Sequence, residues 1–213
     1  MSERSPVVVK VGGGLLRAEG LDGLRRGSAE VVAMAQRRPL LVVPGGGPFA
    51  DAVRAVDAQV GLADDVAHVL ALRAMDQLGA LLRGLLPGAE LLSGLVAPAA
   101  LGLLLVAPAF ADRPEVPQSW AVTSDSLAVL AAAAIGAPEA VLLKPVAGVM
   151  ARWPPDVGGR DPIQSLTAVE LRELQAQGGG KAVDAYLSEA VTRTGVSVVV
   201  RGPSTIGTRI SRS

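Results

Sequence analysis

Short unbroken apolar runs alternate along this chain with longer stretches in which apolar residues recur three and four positions apart. The runs are Val7 to Val11 (with Lys10 inside it), Leu40 to Val43, Val141 to Leu143 and Val196 to Val200. Rich in valine and leucine and bounded by glycine or proline, they read as strands covered on both faces. Leu91 to Leu92 and Leu103 to Val106 predict further strands, around a short helix near Pro98 to Leu101.

The periodic stretches predict helices. Leu15 to Gln36 is one, interrupted between Gly20 and Gly27 and ended by Arg37-Arg38-Pro39. Pro48 to Gln59 carries Phe49, Val53 and Val56 on one face. Asp64 to Leu86 has an apolar stripe of Ala67, Leu70, Ala71, Ala74, Leu78, Leu81 and Leu82, stopped by Pro87-Gly88. Thr123-Ser124-Asp125-Ser126 opens an alanine-rich helix over Leu127 to Ile135. Leu166 to Gln177 is a helix with Thr167 at its cap, and Lys181 opens another that runs to Arg193. Ala111 to Gln118 and Arg152 to Ile163 read as surface loops. Strands that alternate with helices, each a short apolar run, define an α/β protein with a mainly parallel central sheet, Val196 to Val200 being its last strand.

Two of the strands run straight into glycine triplets, Gly12-Gly13-Gly14 and Gly45-Gly46-Gly47, each followed by a helical stretch. Glycine lets main chain turn and approach an anion closely, and a helix starting there adds unpaired N–H groups and the positive end of its dipole. A glycine triplet is also an ordinary tight turn after a buried strand. Lys10, two residues before the first glycine, sits at the end of a buried strand, where a solvated charge is hard to accommodate. Two anion cradles with a lysine between them outline a phosphoryl-transfer site. Neither triplet is a Walker A sequence, and neither continues into the GxGxxG and acidic residue of a dinucleotide fold.

Composition narrows the chemistry. The 213 residues suit one domain, and half of them are hydrophobic, with 2% aromatic. Twenty basic and twenty acidic residues balance, which argues against nucleic acid as a partner. There is no cysteine and a single histidine, so thiolate and multi-histidine metal sites are excluded; a metal here would be a hard ion such as Mg2+. The lone His68 reads as a structural or surface residue. The most apolar region, Leu95 to Ala111, is broken by Pro98, Gly102 and Pro108 into pieces too short for a bilayer, and Met1 to Pro6 is polar without a signal peptide. The expectation is a soluble, cytoplasmic protein.

Five pieces in order, Lys10-Val11-Gly12-Gly13, Pro44-Gly45-Gly46-Gly47, Thr123-Ser124-Asp125, Lys144-Pro145-Val146-Ala147-Gly148-Val149 and Gly178-Gly179-Gly180-Lys181, resemble the motifs of the amino acid kinase family. Pro44 to Arg54, Ala74-Met75-Asp76-Gln77 and Trp120 to Ser126 resemble a branch that extends an aminomethylfuran methyl phosphate to its diphosphate in methanofuran-type cofactor synthesis. The resemblance implies a three-layer αβα sandwich forming one domain over 1–213, with an acceptor-side lobe over roughly 1–120 and a nucleotide-side lobe over roughly 121–213. It implies ATP with Mg2+, a small phosphate monoester as acceptor, and a homo-oligomer.

It also implies roles. Lys10 would bridge donor and acceptor phosphates, Asp125 would hold Lys10 and a second lysine, and Lys181 would contact the terminal phosphates from a helix start. Gly12, Gly13, Gly14, Lys144, Gly148 and Gly180 would bind the nucleotide. Gly45, Gly46, Gly47, Phe49, Asp76, Thr123 and Ser124 would bind the acceptor, Asp76 on its ammonium group. Trp120 would cover a planar substrate or wedge its loop. No protein metal ligand is implied. The chain departs from the family pattern at Gly14, where many members have serine, and at Ala147, where aspartate is usual, and from the branch's pattern at Ala121, where aspartate often follows the tryptophan. The two alanines leave a second reading open, a kinase-fold protein that binds nucleotide or anion without catalysis.

Overall fold

The computed structural model describes residues 5–152 and 162–213. In chain order, β1 (Val7–Val11) leads through α1 (Gly13–Ala35) to β2 (Leu40–Pro44), α2 (Gly47–Val60) and α3 (Asp64–Arg83). Next come β3 (Glu90–Leu92), β4 (Leu101–Leu104), α4 (Val106–Phe110), α5 (Ser124–Ala134) and β5 (Glu139–Leu143). The chain closes with β6 (Ser165–Thr167), α6 (Ala168–Ala176), α7 (Leu187–Thr194), β7 (Ser197–Arg201) and β8 (Thr208–Ser211). All eight strands belong to one sheet in the order β3-β4-β2-β1-β5-β7-β8-β6. Every pairing is parallel except β7 with β8. With helices on both faces this is the expected three-layer α/β sandwich.

The alternation of side chains along β1 sorts the core and aims the lysine. Val7, Val9 and Val11 join Leu15, Leu24 and Val31 of α1 on one face. Val8 faces the other way and joins Leu41, Leu142 and the Leu127, Ala128 and Ala131 of α5. Lys10, two residues after Val8, shares its face and so points toward α5. The chain builds outward from β1 through β2 to β4 and β3, then returns through α5 to β5 on the opposite side of β1. Such a reversal opens a crevice at the carboxyl ends of the strands. Gly12, Gly45 and Lys144 each follow immediately after one of these strands.

Several expectations are corrected. No helix forms near Pro98 to Leu101; the strand begins at Leu101, and Val106 opens α4 instead of ending a strand. Lys181 lies in a turn, and α7 starts six residues later, at Leu187. β7 is not the last strand: β8 follows it, and with β6 it extends the sheet's edge. Both are short and partly polar, so no apolar run marks them. The interruption expected in α1 falls at Gly20, whose φ of +59° and ψ of −147° are non-helical and split the helix across a kink that glycine tolerates. The stripe of α2 is only partly covered: Phe49 and Val53 are half-buried, Val56 is 48% exposed, and Ala50 alone is fully buried. On α3, Leu70 and Leu81 face outward while Leu72 and Met75 are buried. Most of the loop expected over Arg152 to Ile163, residues 153–161, lies outside the described residues. Among those described, no helix is long and apolar enough to cross a membrane.

Candidate active site

The first turns of α1 and α2 meet backbone to backbone. A Cβ on Gly13 would stand 2.2 Å from both Cα and N of Gly47, and Gly47 itself has a φ of +53°. The two triplets are therefore glycine because two main chains occupy the space of side chains. Gly12 donates its N–H to the Leu143 carbonyl at 3.0 Å, and Gly45 donates to Val11 at 2.9 Å. These two glycines, expected as anion donors, spend their N–H groups on tying β1 to its neighbours. The N–H groups of Gly13 and Gly14 open α1, and those of Gly46 and Gly47 stand at the start of α2. None of the four has an intrahelical acceptor in that position, so these are the donors open to a ligand.

A cleft of about 460 Å3 lies above the loops. Five basic side chains (Lys10, Arg17, Arg54, Lys144 and Lys181) and two carboxylates (Asp125 and Asp184) line it, so its charge favours an anion. Lys10 is 5% exposed. Its Nζ lies 2.9 Å from Oδ1 of Asp125, and Nζ of Lys144 lies 2.5 Å from Oδ2. One carboxylate at the first turn of α5 thus holds the ends of β1 and β5 in register. Burial pushes the Asp125 carboxyl up, but the two ammonium groups outweigh it and hold it at about 2. Burial lowers Lys10 to about 8, against the attraction of Asp125 and with the help of Lys144.

Asp184 completes this group, and sequence reasoning missed it. Its Oδ2 accepts from the N–H and hydroxyl of Thr123, each at 2.9 Å, and from Ser126 N–H at 3.0 Å; its Oδ1 accepts from the Ser126 hydroxyl at 2.5 Å. Its own N–H donates to Asp125 Oδ2 at 3.2 Å. Asp184 therefore caps α5 from outside while its backbone steadies the carboxylate between the lysines. Burial and the neighbouring Asp125 charge raise its carboxyl above the usual range.

The other expected residues divide. Thr123, Ser124, Gly14 and Lys181 line the cleft. Gly148 and Gly180 do not line it. A Cβ on Gly148 would stand 2.6 Å from the Thr208 hydroxyl, and Gly180 makes a left-handed turn at φ +61° that bonds back to Met150. Phe49 packs on the α1 side of the core. Asp76 does not line the cleft and is engaged by the fold. Its carboxylate accepts from Val106 N–H at 2.5 Å and from Ala107, capping α4. Asp76→Ala is expected to cost about 1–2 kcal/mol in denaturant unfolding, as lost caps do, with kcat and KM for the acceptor unchanged. Neither Ala121 nor Ala147 lines the cleft.

Arg17 and Arg54, also missed, share Asp51 as a partner, and Arg54 lies over the Trp120 ring at 4.7 Å. Trp120 in turn donates from Nε1 to Asp57 at 2.7 Å. The signal was present in spacing. Arg17 is four residues past Gly13 and Arg54 is seven past Gly47, and those offsets return a helical side chain to the face of the glycine turn.

With this geometry in hand, the sequence matches the model of the amino acid kinase family over residues 5–202. It is 26% identical over 177 residues to the (5-(aminomethyl)furan-3-yl)methyl phosphate kinase of Methanocaldococcus jannaschii, covering 76% of this chain and 78% of that protein. The fold superposes on uridylate kinase from Archaeoglobus fulgidus with a TM-score of 0.71 at 19% identity, across 96% of this chain and 99% of the other. On aspartate kinase from Synechocystis the TM-score is 0.76 at 18% identity, covering 98% of this chain and 40% of that longer one.

Proposed function

This chain belongs to the amino acid kinase family, and from that premise we propose that it is an ATP-dependent phosphotransferase whose acceptor is a small phosphate monoester. The observation that carries the proposal is the buried Lys10–Asp125–Lys144 group set between two abutting glycine turns. Gly13 and Gly14 with Lys144 and Lys181 form the nucleotide side; Gly46 and Gly47 with Arg17 and Arg54 form the acceptor side. Lys10 stands where the two sets of phosphates approach. An oxygen of the acceptor phosphate forms a bond to the γ-phosphorus of ATP, and the bond to the β–γ bridging oxygen breaks, releasing ADP. An acceptor that is already an ionised phosphate has no proton to give up, so no general base is needed. The fixed ammonium groups meet the charge on the transferring oxygens without reorganising.

Among the described residues no group of three or more His, Cys, Asp or Glu side chains could hold a metal ion. Asp125 and Asp184 are already engaged by lysines and by hydroxyl and amide donors. That donor set fits Mg2+ held mainly by phosphate oxygens and water, where it neutralises phosphate charge. The relative's activity on an aminomethylfuran methyl phosphate makes that monoester the first acceptor to try.

Binding and turnover test the reading separately. Mg-ATP at a hundred times its Kd is expected to stabilise the protein by about 2.7 kcal/mol in a thermal shift. ADP release should then depend on one of a panel of phosphate monoesters. Stabilisation without acceptor-dependent ADP would leave a nucleotide-binding protein and overturn the phosphotransferase reading.

A further inference from the structure

The sequence holds three lysines, and all of them (Lys10, Lys144 and Lys181) line the same cleft. Lys10 and Lys144 share one carboxylate, that of Asp125. Two ammonium groups on one carboxylate leave a positive charge over, in a place that water hardly reaches: Lys10 is 5% exposed and Asp125 2%. Such a charge is costly to bury without compensation. Asp184 is the fourth charged group of the cluster and lines the cleft with the others. Among the described residues its carboxylate forms no ion pair of its own. Oδ2 accepts the N–H groups of Thr123 and Ser126 and the Thr123 hydroxyl, and Oδ1 accepts the Ser126 hydroxyl. Four donors on two oxygens favour the ionised carboxylate. The charges that bear on Lys10 are therefore Asp125 of α5, Lys144 just past β5, and Asp184 in the turn ahead of α7.

We propose that Asp184 is a positioning residue for the phosphoryl transfer: from beyond Asp125 its charge balances the second lysine and keeps Lys10 protonated for the phosphates. The use of that charge rests on the phosphotransferase reading above; its existence rests on the cluster alone. Two ammonium groups and two carboxylates make the cluster neutral before a ligand arrives. Asp184 favours the charged form of Lys10, against burial and against Lys144. A second carboxylate placed directly on Lys10 would occupy N–H groups that the phosphates need. Placed one residue away, it supplies charge and takes no donor. The Asp184 N–H donates to Asp125 Oδ2 at 3.2 Å and so fixes the two like charges relative to each other. A helix cap alone needs no charge here. Asparagine caps as well as aspartate does, and Thr123 already holds the N-cap position of α5.

Asp184→Asn separates the charge from the cap. The amide oxygen can accept the two N–H groups and the Thr123 hydroxyl, while the amide NH2 donates to a reversed Ser126 hydroxyl, so the fold is expected to hold. Lysine-selective NMR gives three signals, all from the cleft, and the Lys10 signal is the one missing from Lys10→Met. Its titration midpoint is expected at about 8 in the wild type and about one pH unit lower, or more, in Asp184→Asn. The alkaline fall of kcat/KM with an acceptor monoester should move with it. A residue that only caps the helix would lower Tm and leave both the midpoint and the alkaline fall in place. That result, or a midpoint that rises, would overturn the proposal. A stability cycle covers the case of an unsettled single variant. Asp184→Asn should cost less in the Lys10→Met background than in the wild type, because the two carboxylates there face one ammonium fewer. Additive costs would also overturn the proposal. A lowered midpoint in a protein that transfers phosphate to no monoester would retain the charge assignment and reject the kinase reading.

Discussion

Lys10→Met is expected to lower kcat about a thousandfold or more while the protein remains folded. The size follows from removing a preorganised charge from a water-poor site, where such groups contribute most to the transferring phosphoryl. The retained fold follows from the geometry. Lys144 at 2.5 Å and the Asp184 N–H at 3.2 Å keep Oδ2 of Asp125 paired, so the carboxylate retains its charge partner although Oδ1 loses its own. The lowered value of Lys10, about 8, shows that burial disfavours its charge by more than Asp125 compensates. Methionine of similar length fills the space, but Asp125 Oδ1 loses its only ion partner, so Tm should fall, by less than complete loss of the carboxylate's partners would cause. The folded value lies below the unfolded one, so the folded state sheds this proton first. Stability from this group thus rises with pH from about 8 toward 10.5, and that rise should vanish in Lys10→Met. Activity runs the opposite way. In wild type kcat/KM, which reports the free enzyme, should fall as pH passes about 8. Lys10→Arg, whose charge persists, should lack that limb even if its rate is low. Turnover near the wild-type rate in Lys10→Met would remove Lys10 from the chemistry.

What the sequence could say about this site depends on how far apart the partners lie. The strand-plus-glycine units are local, and Lys10 is placed by the period of its own strand. These features, with the cap at Thr167, are legible within a few neighbouring residues each. Asp125 as the holder of two lysines came through family resemblance, and the structure supplies Lys144 as the second. Asp184 was not legible, because its acceptor oxygens serve Thr123 and Ser126, 61 and 58 residues earlier, and nothing local distinguishes it from a surface carboxylate. The capping role of Asp76 was hidden for the same reason. A carboxylate interrupting an apolar stripe looks like a ligand-binding group until Val106, 30 residues on, is folded against it. The helix expected from Lys181 fails because Asp184 is drawn to the start of α5, which holds residues 181–186 in turns until Leu187. The strands β6 and β8 have too few buried positions to mark an apolar run, and they pair only once the sheet exists to be extended.

Asp125→Ala is expected to be more damaging than loss of either lysine, because it removes the one negative group between them. The buried ammonium of Lys10 and the half-buried one of Lys144 would then face each other across the space it leaves, and breaking a buried pair from one side costs about 3–5 kcal/mol. One lysine should respond by losing its proton near neutral pH, and Lys10, already lowered to about 8, is the nearer to doing so. The rate should therefore fall at least as far as in Lys10→Met, with an unfolding midpoint well below wild type. Acid has a related effect on the intact protein. The Asp125 carboxyl is held at about 2 in the fold against an ordinary 3.8. Its stabilising contribution is thus complete above about pH 4 and lost as pH falls toward 2, a loss the alanine variant should not show. The double variant Asp125→Ala/Lys10→Met separates this account from simple cavity formation. If charge repulsion dominates, removing the second ammonium should recover stability, and the double variant should unfold at higher denaturant than Asp125→Ala alone. If the void dominates, shortening the neighbourhood further should recover nothing, and the two changes should add. Recovery of at least about 1 kcal/mol would assign the penalty to unpaired charge. That would make the carboxylate the element that lets two lysines be buried, charged and aimed at the same phosphates.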